Sequence, residues 1–348
     1  MSTFTLPGLG FPLIQAPMAG VQGSALAIAV CRAGGLGSLP AAMLSPEALR
    51  VELHRLGAGT SGPYNVNFFC HVPPVADAQR EAAWRRLLGP YYRELGIDPA
   101  GIPAGAGRAP FSEAYADVLE AFRPAVVSFH FGLPAAPLVA RVKAWGGRVL
   151  ASATTVAEAL WLEAHGADAI IAQGLEAGGH RGMFLSDALS TQMGLFALLP
   201  QIVARVRVPV IAAGGIADAA GVHAAMALGA AGVQVGTAYL LADEATTSAV
   251  HRRALQHEEA GHTALTTLFT GRPARGIVNR LIRELGPLPA EAPAFPLATA
   301  AIAPLRARAE ADGSGDFSPL WAGQNASGCR AAAAAGITAG LAEGFRTI

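Results

Sequence analysis

Short apolar runs alternate along the chain with longer stretches of helical periodicity. The runs fall at Pro12–Ala16, Gly35–Leu39, Tyr64–Phe69, Ala125–Phe131, Arg148–Ala153, Ala169–Ala172, Pro209–Ala213 and Gly232–Val235. Continuous runs of this length suit strands buried on both faces, and helical stretches between them imply parallel pairing. Eight such units predict closure into a (β/α)8 barrel, with a doubly wound open sheet as the alternative. The spacing places helices over about Ser24–Cys31, 134–145, 155–165, Gln192–Arg205 and 218–228. Another begins at Ser45-Pro46-Glu47, where serine caps and proline fills the first position; Thr154 or Thr155 caps the helix that follows them. In Tyr64–Phe69 the asparagines alternate with apolar residues, so one face of that strand must meet something polar.

The rhythm breaks twice. Residues 73–118, with Trp84, Tyr91, Tyr92 and a proline/glycine-rich piece at 99–110, predict a helical excursion. The tail beyond 243 carries a helix with His251, Arg252, Arg253, His257 and Glu258, then an extended or turn segment at Leu268–Gly276. A proline-rich linker at 287–296 and two helical stretches flanking Leu320–Gln324 complete it. The expected organisation is a barrel from 1–73 and 119–260, and a smaller, mostly helical subdomain over its mouth from 74–118 and 261–320. A C-terminal segment, 321–348, is expected to pack back on the barrel.

Composition narrows the functional classes. The chain has 348 residues, 52% of them hydrophobic, enough for a barrel with insertions. The 25 basic and 25 acidic residues cancel, so no electrostatic footprint for nucleic acid or an anionic membrane is present. Lys143 is the only lysine, which argues against Schiff-base and P-loop chemistry. Cys31, Cys70 and Cys329 are widely spaced, without a CxxC pair, and indicate a reducing compartment. No signal peptide is read, and the small-residue stretch 331–343 is too short to span a bilayer. A cytoplasmic protein, monomeric or homodimeric, is expected.

The chemistry concentrates at the C-terminal ends of the strands, where barrels place their sites. The run Ala169–Ala172 gives way to Gln173-Gly-Leu-Glu-Ala-Gly-Gly-His-Arg-Gly182. Glycines there let backbone amides approach a bound group, and His180 beside them suits acid/base work. The bland reading is an ordinary βα turn. The seventh strand ends in Ala213-Gly214-Gly215-Ile216 and the eighth in Gln234-Val-Gly236-Thr237. Bare amides at these two successive positions predict a phosphate site. No G-x-G-x-x-G opens a helix and no G-x-S-x-G elbow exists. Metal is not expected: His257-Glu258 lacks the HExxH spacing, and His257 and His262 are read as solvated.

Taken together, Gln15-Ala-Pro-Met-Ala-Gly20, Tyr64–Phe69, Ser128-Phe-His-Phe-Gly132, Ala172–Gly182, Ala212–Ile216, Gln234–Thr237 and Trp321-Ala-Gly-Gln324 resemble the FMN-dependent nitronate monooxygenases, class I branch. The resemblance spans almost the whole chain. Flavin-dependent enoyl-ACP reductases carry a similar Gly-Gly-His element, but look different at Ser128–Gly132. Leu175 departs from the polar residues frequent at its position.

The resemblance implies FMN, molecular oxygen and small nitronate substrates, propionate 3-nitronate among them. Gly214, Gly215, Gly236 and Thr237 would hold the FMN phosphate. Gln173, Gly178, Gly179 and Gln234 would position the ring or ribityl chain, with Asn67 bonding the ring and Ala16, Pro17 and Met18 against it. Substrate would lie near Met18, His130 and His180, with His180 catalytic and His130 shaping the pocket. Core filling for Met18 and backbone satisfaction for Asn67 are the plain alternatives. Trp321 and Gln324 are read as tying the tail to the barrel, and Arg272 and Arg275 as part of a solvated loop. Two rival classes stay open: a nicotinamide-using flavin reductase and a flavin-free phosphate-binding barrel.

Overall fold

Strand β1 (Leu13–Gln15) opens a βα succession: α1 (Ser24–Arg32), β2 (Gly37–Pro40), α2 (Pro46–Gly59) and β3 (Tyr64–Phe69). Helix α3 (Ala78–Glu94) departs from it, and α4 (Glu113–Phe122) resumes it ahead of β4 (Val126–His130). Then come α5 (Ala136–Ala144), β5 (Arg148–Ala153), α6 (Val156–Ala164) and β6 (Ala169–Gln173). A two-residue strand, β7 (Gly179–His180), precedes α7 (Leu195–Val203), β8 (Val210–Ala213), α8 (Ala219–Ala227) and β9 (Gly232–Val235). The tail contributes α9 (Ala249–Gln256), β10 (Thr263–Thr266), β11 (Ala274–Ile277), α10 (Arg280–Leu285), α11 (Ala298–Ala311) and α12 (Ala334–Ala342). The structure is a computed structural model that describes residues 4–102 and 108–346.

The eight expected runs are the eight strands of one parallel sheet, ordered β1-β9-β8-β6-β5-β4-β3-β2. Its two ends meet. Ile14 bridges Leu36, Gln15 N–H donates to Leu36 O at 3.0 Å, and Leu36 N–H donates to Leu13 O at 2.8 Å. The Gln15 side chain adds a clamp, its Oε1 accepting from Ser38 N–H. An open doubly wound sheet keeps its edges apart, so the fold is a (β/α)8 barrel. Register follows from burial. In β3, Val66 and Phe68 face the helical layer, and Asn65 and Asn67 take the alternate positions. There Asn65 donates to Ser38 Oγ and Asn67 to Ser128 Oγ, which accounts for the polar face read in that strand. The lower interior is filled by Ile14, Val126, Leu150, Ile171 and Ile211, with Phe4 among them.

Caps fix the helix starts. Ser45 accepts from Ala48 N–H ahead of Pro46, and Thr155, not Thr154, caps α6. Thr154 instead binds the buried Glu158 carboxylate through both its amide and its hydroxyl.

A second core forms from α3, α10 and α11, where Trp84, Tyr92, Leu281, Ile302 and Phe317 pack together. Trp84 Nε1 and Tyr92 Oη bond the carbonyls of Ala298 and Ala301, joining the excursion to the tail. Helix α4 takes another course. Its Tyr115, Val118 and Leu119 belong to the barrel's outer core, so the ring resumes before the boundary expected at 118. Within the proline/glycine-rich piece, 103–107 lie outside the described residues.

The expected extended segment of the tail overlaps β11, which pairs antiparallel with β10 on one side and with β7 on the other, aligning Ala274 with His180. Trp321 bridges Gly276, and Gln324 N–H donates to Glu176 O. Thr338 of α12 bonds the buried Tyr239 hydroxyl. The tail thus lies across the barrel's mouth and down its flank.

Candidate active site

Parallel strands that end together leave their following loops around one hollow, which opens to solvent at its mouth. Strand β1 supplies Ala16, Pro17 and Met18, and β3 supplies Asn67 and Phe69. His130 comes from β4, Gln173 from β6, and Gly178, Gly179 and His180 from the central loop. Gly214 and Gly215 follow β8; Gln234, Gly236 and Thr237 end the ring. Every residue singled out as a site candidate therefore lines a single cavity.

One end of the cavity is a bed of backbone donors. Among the described residues, the amides of Gly214, Gly215, Gly236 and Thr237 find no protein acceptor. Backbone donors in a folded interior are nearly always paired, so a convergent unpaired set marks the place of an anionic ligand. Gly214 and Gly215 hold φ of +116° and +72°, which turns their amides inward and which side chains rarely tolerate. Gly323, from the tail, closes the bed by donating to Thr237 Oγ1 at 2.9 Å.

Another part of the wall is built around His180. Its carbonyl accepts from Gln173 Nε2 and from His130 Nε2, each at 3.0 Å. A carbonyl cannot donate, so His130 carries its proton on Nε2, and its Nδ1 accepts from Ser152 Oγ at 3.0 Å. Both nitrogens of His130 are thus engaged. Burial lowers its pKa to about 4, leaving it neutral and serving to hold the His180 backbone.

The His180 ring lies among Phe69, Phe131, Phe295 and Trp321, with ring centroids 5.3–6.0 Å away. Burial in this aromatic nest, with Arg108, His130, Arg272 and His71 nearby, drives its pKa well below the usual imidazole value. Its Nε2 meets Thr270 Oγ1 at 2.9 Å. The Thr270 hydroxyl can place its proton on Arg272 O, 3.4 Å away, and in that arrangement its lone pair accepts from Nε2–H. Nδ1 is left with its lone pair and no protein partner among the described residues.

Arginines support this arrangement from behind. Arg181 is fully buried and donates to Gln173 O, Gly174 O and Gln192 Oε1, holding the loop's first turn. Arg272 and Arg275 are not in a solvated loop. Arg275 is buried and bonds Leu175 O and Thr263 Oγ1, and Arg272 stacks 4.0 Å above Phe131. Their place between β10, β11 and the central loop explains this, since only the tertiary pairing of the tail covers them.

Arg108 and Asn325 also line the cavity, and the sequence reading singled out neither. Arg108 follows a proline/glycine-rich piece with no periodicity to orient it. Trp321 does tie the tail down, and it also faces the cavity beside His180.

The family model for nitronate monooxygenase matches residues 4–342. The chain belongs to the nitronate monooxygenase family. It is 44% identical to a nitronate monooxygenase of Paraburkholderia phytofirmans over 343 residues, covering 97% of this chain and 92% of the relative. A nitronate monooxygenase of Pseudomonas aeruginosa is 42% identical over 351 residues, covering 98% of each. A nitroalkane oxidase of Streptomyces ansochromogenes, known from crystal structures, superposes with a TM-score of 0.88 at 38% identity, covering 98% of each chain. The chain is accordingly an enzyme, an oxidoreductase of the nitronate monooxygenase family, which is flavin-dependent. Among the described residues no helix is long and apolar enough to cross a membrane.

Proposed function

We propose that the cavity binds one non-covalent FMN and oxidises small alkyl nitronates, propionate 3-nitronate among them, with molecular oxygen. The observation that carries this reading is a bed of four unpaired amides in the wall of one cavity with a neutral imidazole whose Nδ1 is free. A phosphate fits the bed, and a mononucleotide satisfies it without the adenosine site that FAD would require. Asn67, Gln173 and Gln234 would meet the polar edge of the ring, and Met18, with Ala16 and Pro17, would lie against its face. The flavin's contribution, when bound, is the redox step: one electron taken from the nitronate, with oxygen as co-substrate.

The chain's own residues do the rest. A neutral His180 accepts a proton at Nδ1 from the carbon beside a nitro group, turning a nitroalkane into its nitronate. Toward a preformed nitronate the same ring, once protonated, is a donor. The Phe69, Phe131, Phe295 and Trp321 rings exclude water, which strengthens either interaction. His130, Gln173 and Arg181 keep the loop from shifting.

The test is the absorbance spectrum of the purified protein, before and after anaerobic addition of ethylnitronate. Acid release of FMN and rapid loss of the oxidised flavin band are expected. FAD or no flavin in the released fraction would overturn the cofactor assignment. Reduction by NADPH at a rate matching turnover would hand the site to a nicotinamide-dependent reductase.

A further inference from the structure

A threonine followed three positions later by glutamate, as in Thr155-Val-Ala-Glu158, forms a capping box, in which the glutamate turns back to the amide of the cap. Thr155 does its half, accepting from the Glu158 amide, but the Glu158 side chain goes elsewhere. Its Oε2 accepts from the amide and the hydroxyl of Thr154, each at 2.7 Å. Its Oε1 accepts from the amides of Phe184 at 2.6 Å and Leu185 at 3.3 Å. A carboxylate offers about four lone-pair sites, and here each meets a donor. Among the described residues Glu158 is the only acidic side chain that is buried, at 1% exposure. Burying a charge is costly unless its bonds are good, so this carboxylate marks a place held to a defined geometry.

The two oxygens serve the two ends of the loop that carries His180. At the exit, Glu158 takes the N–H of the Met183–Phe184 peptide while Arg272 donates to the C=O of that same peptide. At the entry the hold is a relay. Thr154 Oγ1, its proton given to Glu158, accepts from Gln192 Nε2 at 3.0 Å. Gln192 Oε1 accepts from Arg181 Nε at 2.9 Å, and Arg181 grips the carbonyls of Gln173 and Gly174 at 2.8 and 2.6 Å. His180 stands between these anchors, its carbonyl held by Gln173, whose Oε1 takes the Gly182 amide at 2.8 Å. Charge runs the same way: burial and Arg275 pull the Arg181 pKa down to about 10, and Glu176 and Glu158 act against them.

We infer that Glu158 is a positioning residue for His180, fastening the central loop at its entry through Thr154, Gln192 and Arg181 and at its exit through the Met183–Phe184 peptide. The inference rests on the reading above, in which His180 moves the proton, and goes beyond it to what holds the imidazole within reach of the substrate carbon. Glu158 lies outside the cavity wall and transfers no proton itself. Proton transfer from carbon is sensitive to placement, and a shift of about 1 Å caused far from the chemistry can cost about 10²-fold. Substrate binding in the aromatic nest tolerates such a shift better. The effect of Glu158 therefore falls on kcat and not on KM.

The experiment uses the flavin-loaded wild type, Glu158→Gln, Thr154→Val, Gln192→Leu and the variant combining the last two. Glu158→Gln keeps the length of the side chain but turns one oxygen into an amide nitrogen, so that a donor faces donors. We expect its kcat for nitroethane to fall about 10- to 10²-fold, with KM within about 3-fold and FMN content unchanged. Gln192→Leu, at a half-buried position, breaks only the entry arm and should lose about 5-fold in kcat, which keeps the test open should Glu158→Gln fail to fold. Thr154 and Gln192 act in series, so the combined variant should lose no more than the larger single loss. Hydrogen exchange of the purified proteins reads the loop without turnover. Amides of 174–185 should exchange faster in Glu158→Gln, and those of 210–216 and 232–237 as in wild type. Unchanged kcat in both Glu158→Gln and Gln192→Leu would overturn the role of Glu158. So would losses that multiply in the combined variant, or faster exchange throughout the barrel with loss of flavin. A wild type that consumes neither nitroethane nor ethylnitronate would instead overturn the proposed function, and the exchange pattern would still judge Glu158.

Discussion

His180 Nε2 lies 2.9 Å from Thr270 Oγ1, ninety positions further along the chain. The bond decides which nitrogen of the imidazole can work. With Nε2–H committed to a hydroxyl that is buried and turned toward Arg272 O, Nδ1 is the basic atom. Replacing Thr270 by valine keeps the volume and deletes the acceptor. We expect kcat/KM for nitroethane to fall about 10-fold in Thr270→Val, with Thr270→Ser close to wild type, since one hydrogen bond of this kind is worth about 1–1.5 kcal/mol. Steady-state kinetics on both variants, with flavin content measured in parallel, check this. A loss shared by the serine variant would mean that packing, and not the hydroxyl, is what Thr270 supplies.

Removing the imidazole itself separates proton transfer from anion binding. His180→Asn leaves the amide bed untouched and should retain FMN. Turnover of nitroethane should drop about 10²–10⁴-fold, the usual contribution of a positioned general base. Ethylnitronate, already deprotonated, should lose less. Unchanged kcat/KM on both substrates would remove His180 from the mechanism.

The pH dependence has a definite sign. Burial holds the pKa of His180 well below 6.5, so its basic form persists on the acid side of neutrality. The acid limb of kcat/KM for nitroethane should therefore lie well below pH 6.5. A limb at the ordinary imidazole value would show a solvated ring. Stability has the opposite exposure to acid. His130 stays neutral in the fold down to about pH 4 but takes up a proton near 6.5 when unfolded. Its contribution is complete above pH 6.5 and is lost as the pH falls toward 4. The Tm of wild type should decline across that window, and that of His130→Asn should decline less steeply.

The amide bed can be tested without touching a side chain. Gly236 has an ordinary negative φ of −114°, and a methyl group there would meet Ala16 Cβ at 3.3 Å. The protein accommodates this with a small adjustment, whereas a ligand seated on the Gly236 amide meets the new methyl directly. Gly236→Ala should keep the Tm of the flavin-free protein within a few degrees and raise the FMN Kd at least about 10-fold. Fluorescence titration of the flavin-stripped protein measures the second quantity. Unaltered affinity would place the phosphate elsewhere.

The barrel was legible because its signal is local. Each strand announces itself by an apolar run, and the glycines after β8 and β9 stand at the positions where closure brings them together. The central loop was legible for the same reason: Gln173, Gly178 and His180 lie within one short stretch. What lay beyond reach was contributed by distant segments. Thr270 and Trp321 gain their roles through the pairing of β11 with β7 and the bridge to Gly276, neither of which leaves a periodic trace. Arg272 and Arg275 look solvated until that same pairing covers them. Arg108 depends on a carbonyl bonded by His71 and on an aromatic plate from the tail. Long-range pairings of this kind fix side-chain roles without altering local composition.

The antiparallel pairing of β7 with β11 also sets an order of maturation. A ribosome delivers the barrel strands and the amide bed first, and Thr270, Arg275 and Trp321 only afterwards. The amide bed is closed by Gly323 and the imidazole aligned by Thr270 only when the tail folds across the mouth, so a chain shortened before residue 270 would carry the barrel without a finished site.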